Sequence, residues 1–225
     1  MNYLDTLLFG VYPYLALAVF IIGSWIRYDH GQYTWKAGSS QMLRKSGMSL
    51  ASNLFHIGIL LIFFGHLVGL LTPSWLYEPF MSAGTKQLIA IVVGGFAGTL
   101  CWIGSLLLLK RRLTDPRVRA SGTTGDTLVI AILFVQVTLG MLTLIPSMSH
   151  LDGAMMQQLS KWAQSVVTLQ GNPAVYMEGV DAIYRAHIFL GMTIFVIFPF
   201  TRLVHIWSAP VEYLSRRYQL VRRRG

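Results

Sequence analysis

Five blocks of apolar residues, Leu7 to Ile26, Leu50 to Leu71, Leu88 to Leu109, Leu128 to Ile145 and Ile188 to Trp207, constrain this chain more than any other feature. Each is near the roughly 20 residues that carry a helix across the hydrocarbon of a bilayer. A helix is suited to that environment because it satisfies its backbone hydrogen bonds within one segment. The 225 residues include 54% hydrophobic and only 12% charged side chains, too few charges to cover a compact surface facing water. The expected fold is an all-α membrane protein of five transmembrane helices, spanning about 4–27, 48–71, 85–110, 125–146 and 183–207. With no Pro-, Ser- or Gly-rich linker and no repeat, residues 1–225 read as one membrane domain. Asp5 precedes the first block and Arg27 follows it, the reverse of a signal peptide, so this block is expected to be retained.

The net charge of +9 has a direction. Arg27, Lys36, Arg44 and Lys45 follow the first span, Lys110, Arg111, Arg112, Arg117 and Arg119 follow the third, and Arg216, Arg217, Arg222, Arg223 and Arg224 form the tail. The intervening loops hold only Lys86, Lys161 and Arg185, beside Glu78, Asp152, Glu178 and Asp181. By the positive-inside rule the N-terminus is outside and the C-terminus cytoplasmic. This placement accounts for the basic charge without nucleic acid as a partner, and membrane lipid is the surrounding phase. The longest stretch between spans, Pro146 to Ile183, carries a helix-like segment around Met155 to Val167 suited to lying on the membrane face.

A single cysteine, Cys101, excludes an intrachain disulfide, a Cys-x-x-Cys-His haem site and a cysteine-ligated iron–sulfur cluster within this chain. Histidine remains. His56 and His66 share the second span, His187 and His205 the fifth, and His30 and His150 fall in loops. One imidazole in hydrocarbon is readily explained by a hydrogen bond to a neighbouring helix, but two pairs on two helices favour ligation. Ten residues of helix rise about 15 Å, whereas two imidazoles on one metal stand about two bonds of 2 Å apart, so the ligands must pair between helices. Opposite span directions match His66 with His187 toward the outer face and His56 with His205 toward the cytoplasm. A bare ion would be underligated by two imidazoles, while a porphyrin needs only two axial ligands, so two haem groups fit better than zinc. One mismatch stands out: 18 residues from His187 to His205 would rise about 27 Å on an ideal helix. Helix tilt must absorb it, alone or with a break at Pro199.

Gly58, Gly65, Gly69 and Gly191 leave room beside these histidines for a flat macrocycle, or serve helix packing, as Gly94 and Gly98 on the third span do. Arg202 and Arg185, near the two ends of the fifth span, are placed either to neutralise haem propionates or to snorkel to the interface. Trp75, Tyr77, Tyr12, Tyr14, Trp207 and Tyr213 read as interfacial anchors.

The runs GSWIRYDHGQYTW from Gly23, SNLFHIGIL from Ser52, FGHLVGLLTPSW from Phe64, KWAQSVVT from Lys161, RAHIFLGMT from Arg185 and FPFTRLVHIWSAPVEY from Phe198 carry all four histidines in order. They resemble the gamma subunit of membrane-bound respiratory nitrate reductase, a dihaem cytochrome b, and the resemblance covers essentially the whole chain. It implies two haem b groups, a distal one on His66 and His187 and a proximal one on His56 and His205. It implies oxidation of menaquinol or ubiquinol near the outer face of the bacterial inner membrane. Electrons would pass to a cytoplasmic iron–sulfur beta subunit and then to a molybdenum-bearing alpha subunit that reduces nitrate. Lys86 aligns with a lysine at the quinol pocket, with Gly65 and Gly69 as a pocket wall; without the resemblance Lys86 reads first as an interfacial lysine. The residues alone leave two rivals: a dihaem cytochrome serving another reductase, and a transporter or plain anchor.

Overall fold

Residues 3–35, 46–149, 151–208 and 215 are described by the computed structural model. Lys36, Arg44, Lys45, His150, Tyr213 and the tail arginines 216, 217 and 222–224 lie outside them. Five helices are long and apolar enough to cross a membrane: α1 (Tyr3–His30), α2 (Met48–Leu71), α3 (Ala83–Thr114), α4 (Thr124–Ser149) and a fifth candidate span, Ala182–Phe200. An additional helix, α5 (Ala154–Thr168), precedes α6 (Ala182–Ile197), the α-helical part of the fifth span. His30, expected in a loop, is the last residue of α1.

The spans form an arc in which α2 packs on α3, α3 on α4, α4 on α6 and α6 on α1. Small residues allow the closest approach, between α2 and α3. A Cβ at Gly58 would collide with the Cys101 backbone, and one at Gly104 with the Phe55 backbone. Trp102 Nε1 donates to Thr138 Oγ1 at 3.0 Å between α3 and α4. The Tyr12 and Thr193 hydroxyls meet at 2.9 Å between α1 and α6. Among the described residues α2 has no comparable packing on α6 or α1. Its open side keeps Gly65, His66, Leu67 and Val68 exposed.

The end where α2 finishes and α6 begins is closed by protein. The amphipathic α5 packs its apolar face on the bundle. It buries Trp162, Ala163 and Val166 against Phe9, Met177, Val180 and Tyr184. Pro13 has no N–H for the carbonyl four residues before it, and Trp162 Nε1 donates to that Phe9 oxygen at 3.0 Å. The last carbonyls of α2 also lack helical donors. Ser160 Oγ serves Gly69 O at 3.3 Å, and Gln164 Nε2 serves Leu70 O at 3.0 Å.

At the opposite end the fifth span departs from the expected continuous helix to residue 207. The α-helix stops at Ile197 and gives way to short 3₁₀ turns, Phe198–Phe200 and Arg202–Ile206, separated by the extended Thr201. Pro199 cannot donate a backbone hydrogen bond, and its ring crowds the preceding turn, which ends the helix. Phe198, Leu203 and Val204 then tuck against Val129 in a second buried cluster.

Candidate functional site

His66 of α2 and His187 of α6 face each other with ring centres 6.1 Å apart and planes inclined by 37°. Two metal–nitrogen bonds of about 2 Å, plus roughly 1 Å from each nitrogen to the centre of its ring, require a separation of about 6 Å. The observed separation matches the one that two imidazoles on a single iron would require. His56 lies in the first half of α2, and His205 sits on the turn Arg202–Ile206 that follows the broken end of the fifth span.

Three of the four imidazoles are oriented in the same way. Nδ1 of His66 donates to Ile62 O at 2.8 Å, Nδ1 of His56 to Ser52 O at 2.7 Å, and Nδ1 of His205 to Arg202 O at 2.6 Å. A carbonyl can only accept, so each proton sits on Nδ1 and the Nε2 lone pair is left for a ligand. Such bonds also fix the ring plane and raise the basicity of the coordinating nitrogen. His187 differs: its Nδ1 is buried without a hydrogen-bond partner. It is seated by α4 instead. Gln136 Nε2 donates to the His187 carbonyl at 3.1 Å, and the ring lies on Gly140.

The mismatch between 18 and ten residues disappears in this arrangement. From His187 the α-helix continues for only ten residues, to Ile197, about the 15 Å that separates His56 from His66 on α2. After the Pro199 break the chain no longer rises as an α-helix, so the roughly 27 Å of an ideal helix does not apply to His205.

Added Cβ atoms at Gly65 and Gly69 would meet nothing within 4 Å, so these glycines border open space next to His66. Gly58, expected with them, packs on Cys101 and serves helix contact. Gly191 lies against Gln136, Gly98 against Met141, and Gly94 borders open space. Among the described residues no group of three or more His, Cys, Asp and Glu is placed to hold a bare metal ion. Paired imidazoles, an unpartnered buried Nδ1 and open space beside His66 fit a porphyrin carrying its own four nitrogens.

Lys86 stands at the start of α3 with Nζ 3.9 Å from the centre of the Tyr77 ring and 3.5 Å from Thr72 O. It thus sits beside the segment where α2 ends and α5 crosses. The two arginines are engaged by carboxylates. Arg185 pairs with Asp5 at 2.5 Å and donates to Val180 O at 3.0 Å, tying the start of α6 to the start of α1. Arg202 approaches Asp126 at 3.8 Å, and Asp126 also faces Arg112 at 3.5 Å.

Sequence pattern assigns no site role to Gln136, Gly140 or Gly23, and marks Arg27 only as a topology charge. Gln136 did carry a signal, an amide in the middle of an apolar span, where a polar group needs a partner. Gly23 and Arg27 lay inside a quoted run, but their contact with Pro199 and Thr201 spans more than 170 residues of sequence.

The chain matches the family described as nitrate reductase gamma subunit over residues 5–224. The respiratory nitrate reductase 1 gamma chain of Escherichia coli (strain K12) is 57% identical over 224 residues, covering 100% of both chains. The respiratory nitrate reductase 2 gamma chain of the same organism is 54% identical over 224 residues, 100% of this chain and 99% of that one. The nitrate reductase gamma chain of Bacillus subtilis (strain 168) is 33% identical over 220 residues, 97% of this chain and 98% of that one. With five membrane-spanning helices and this similarity along its whole length, the chain is a multi-span membrane protein that belongs to the nitrate reductase gamma subunit family.

Proposed function

We propose that this chain is the dihaem cytochrome b and membrane anchor of a respiratory nitrate reductase, taking electrons from membrane quinol and delivering them toward the cytoplasm. The observation that carries the reading is the 6.1 Å separation of the His66 and His187 rings, the spacing of two axial ligands. His66 with His187 holds the distal haem b near the outer face, and His56 with His205 holds the proximal haem b near the cytoplasm. Iron held between two imidazoles in a porphyrin supplies a one-electron carrier. The basic loops face the cytoplasm, with the N-terminus outside.

Menaquinol or ubiquinol binds beside the distal pair, at the end of the bundle covered by α5. Gly65 and Gly69 keep that space open, and Lys86 donates a hydrogen bond to a quinone oxygen. Each quinol gives up two electrons and two protons. The protons leave to the outer side while the electrons cross inward, so charge is separated without a proton channel through the chain. Arg202 is the residue proposed to meet a proximal propionate. Arg185 is proposed to serve the distal one through the one Nη1 N–H left after its bonds to Asp5, Val180 O and Met177 O. An iron–sulfur beta subunit receives the electrons at the cytoplasmic face, and a molybdenum-bearing alpha subunit reduces nitrate. This chain contributes no ligand set for either centre: it has one cysteine.

The test is a reduced-minus-oxidised spectrum of the purified membrane protein with haem quantified as pyridine haemochrome, repeated for His66→Ala and His56→Ala. Two b haems per chain are expected, with loss of one or both in each variant. A well-folded preparation without a Soret band would overturn the proposal.

A further inference from the structure

We infer that Arg27 is a positioning residue for His205, acting from the first span on the broken end of the fifth; the inference rests on the dihaem reading above. The break creates carbonyls that no continuing helix can serve. After Ile197 the chain forms one 3₁₀ turn, and Thr201 is extended at φ −124° and ψ 179°. Buried or half-buried carbonyls of this kind need donors from elsewhere. Arg27 supplies them. Its Nη1 donates to Pro199 O and, at 2.9 Å, to Thr201 O, while Nη2 donates to Thr34 O at 3.0 Å.

A planar guanidinium holds these three carbonyls from two nitrogens in a fixed fork; a lysine ammonium also has three donors but on a single nitrogen, and does not reproduce that geometry. An arginine merely snorkelling from the end of a span would turn its head toward water or lipid headgroups. This one is turned onto backbone of the fifth span. Gly23, one turn earlier on α1, completes the contact: a Cβ there would stand 2.9 Å from Pro199 Cγ. The first span therefore grips the break at two points.

From the break to the ligand the path is short. Thr201 Oγ1 accepts the Leu203 N–H at 3.3 Å and starts the turn Arg202–Ile206. Leu203 and Val204 are buried beneath it. Arg202 O accepts Nδ1 of His205 at 2.6 Å, which fixes the ring. Moving residues 199–201 moves the carbonyl that aims the imidazole. His187 is seated separately, by Gln136 and Gly140 on α4, so disturbing α1 should affect one histidine pair and spare the other.

The test uses the purified full-length protein with its haems, titrated potentiometrically while the low-spin ferric haem signals are followed by electron paramagnetic resonance. His205→Ala first identifies the signal that depends on this ligand. Arg27→Leu is expected to shift the midpoint potential and g-values of that signal or abolish it, leaving the His66–His187 signal as in the parent. Arg27→Lys should give a smaller shift of the same signal, and Gly23→Ala should alter it by displacing Pro199. The inference is overturned if both haems keep their parental signals in Arg27→Leu. It is equally overturned if Arg27→Leu and Gly23→Ala change both haems alike, because the effect is then general packing. A parent protein without haem would sink the dihaem reading itself, and this inference with it.

Discussion

Gly140 lies directly beneath the imidazole of His187: a Cβ added there would stand 3.0 Å from Cε1. One turn away on the same helix, Gln136 Nε2 holds the His187 carbonyl at 3.1 Å. Because Nδ1 of this ring has no partner, these two contacts, one to its backbone and one to its ring face, are what seat His187, whereas the other three histidines are oriented through Nδ1. Gly140→Ala should push the ring off its axis and weaken retention of the His66–His187 haem about tenfold or more, the usual scale for disturbing the support of a ligand. Haem-resolved optical redox titration checks it. Equal loss of both haems would show that Gly140 serves the bundle as a whole.

Lys86 has a contact set that separates its role from simple anchoring. Its ammonium sits over Tyr77 and reaches only a long hydrogen bond to Thr72 O. Donors therefore remain for a quinone oxygen. Lys86→Ala should raise the KM for quinol about tenfold, the equivalent of one hydrogen bond of roughly 1.4 kcal/mol, with both haem spectra unchanged. Tyr77→Leu removes the cation–π contact, about 0.5–1 kcal/mol for an ammonium that is only half-buried, and should raise KM by a smaller factor. Steady-state kinetics with a soluble quinol analogue distinguishes these outcomes. An unchanged KM in Lys86→Ala would remove the lysine from the quinol pocket.

The five spans were legible because a 20-residue apolar run has few alternatives in water or lipid. The pairing of His66 with His187 followed from chain direction and helix rise, and the two rings do meet. The end of the fifth span was only half legible. Pro199 marked a break, but where the chain goes after it depends on Arg27 and Gly23, which lie far away in sequence. Arg185 and Arg202 could not be assigned from position alone. Their carboxylate partners, Asp5 and Asp126, become neighbours only once α1 and α4 pack on α6. The glycines of α2 posed the same difficulty, since open space and tight packing favour the same residue.

The Asp5–Arg185 pair should matter for stability. Its side chains are half-buried, and Arg185 also serves the carbonyls of Val180 and Met177. Charge-assisted bonds in such a setting contribute about 1–3 kcal/mol. A double-mutant cycle of Asp5→Asn and Arg185→Gln in detergent unfolding should give a coupling of about 1 kcal/mol or more. Asp5→Asn should leave both haem potentials in place. If that variant shifts the distal potential instead, Arg185 responds to a propionate more than to Asp5.

Gly58 and Gly65 lie two turns apart on α2 and should respond oppositely to the same methyl group. At Gly58 a Cβ runs into the Cys101 backbone, which cannot move without separating α2 from α3. Overpacking of this kind costs about 1–3 kcal/mol, so Gly58→Ala should lower the thermal midpoint of the apoprotein as well as the holoprotein. At Gly65 a Cβ meets nothing within 4 Å, so Gly65→Ala should leave apoprotein stability unchanged. The methyl group would instead intrude on the space beside His66, impairing haem retention or quinol turnover. Thermal unfolding with and without haem reads the contrast. If Gly65→Ala destabilises the apoprotein as much as Gly58→Ala does, the open side of α2 is a packing surface and the space beside His66 is not reserved for a ligand.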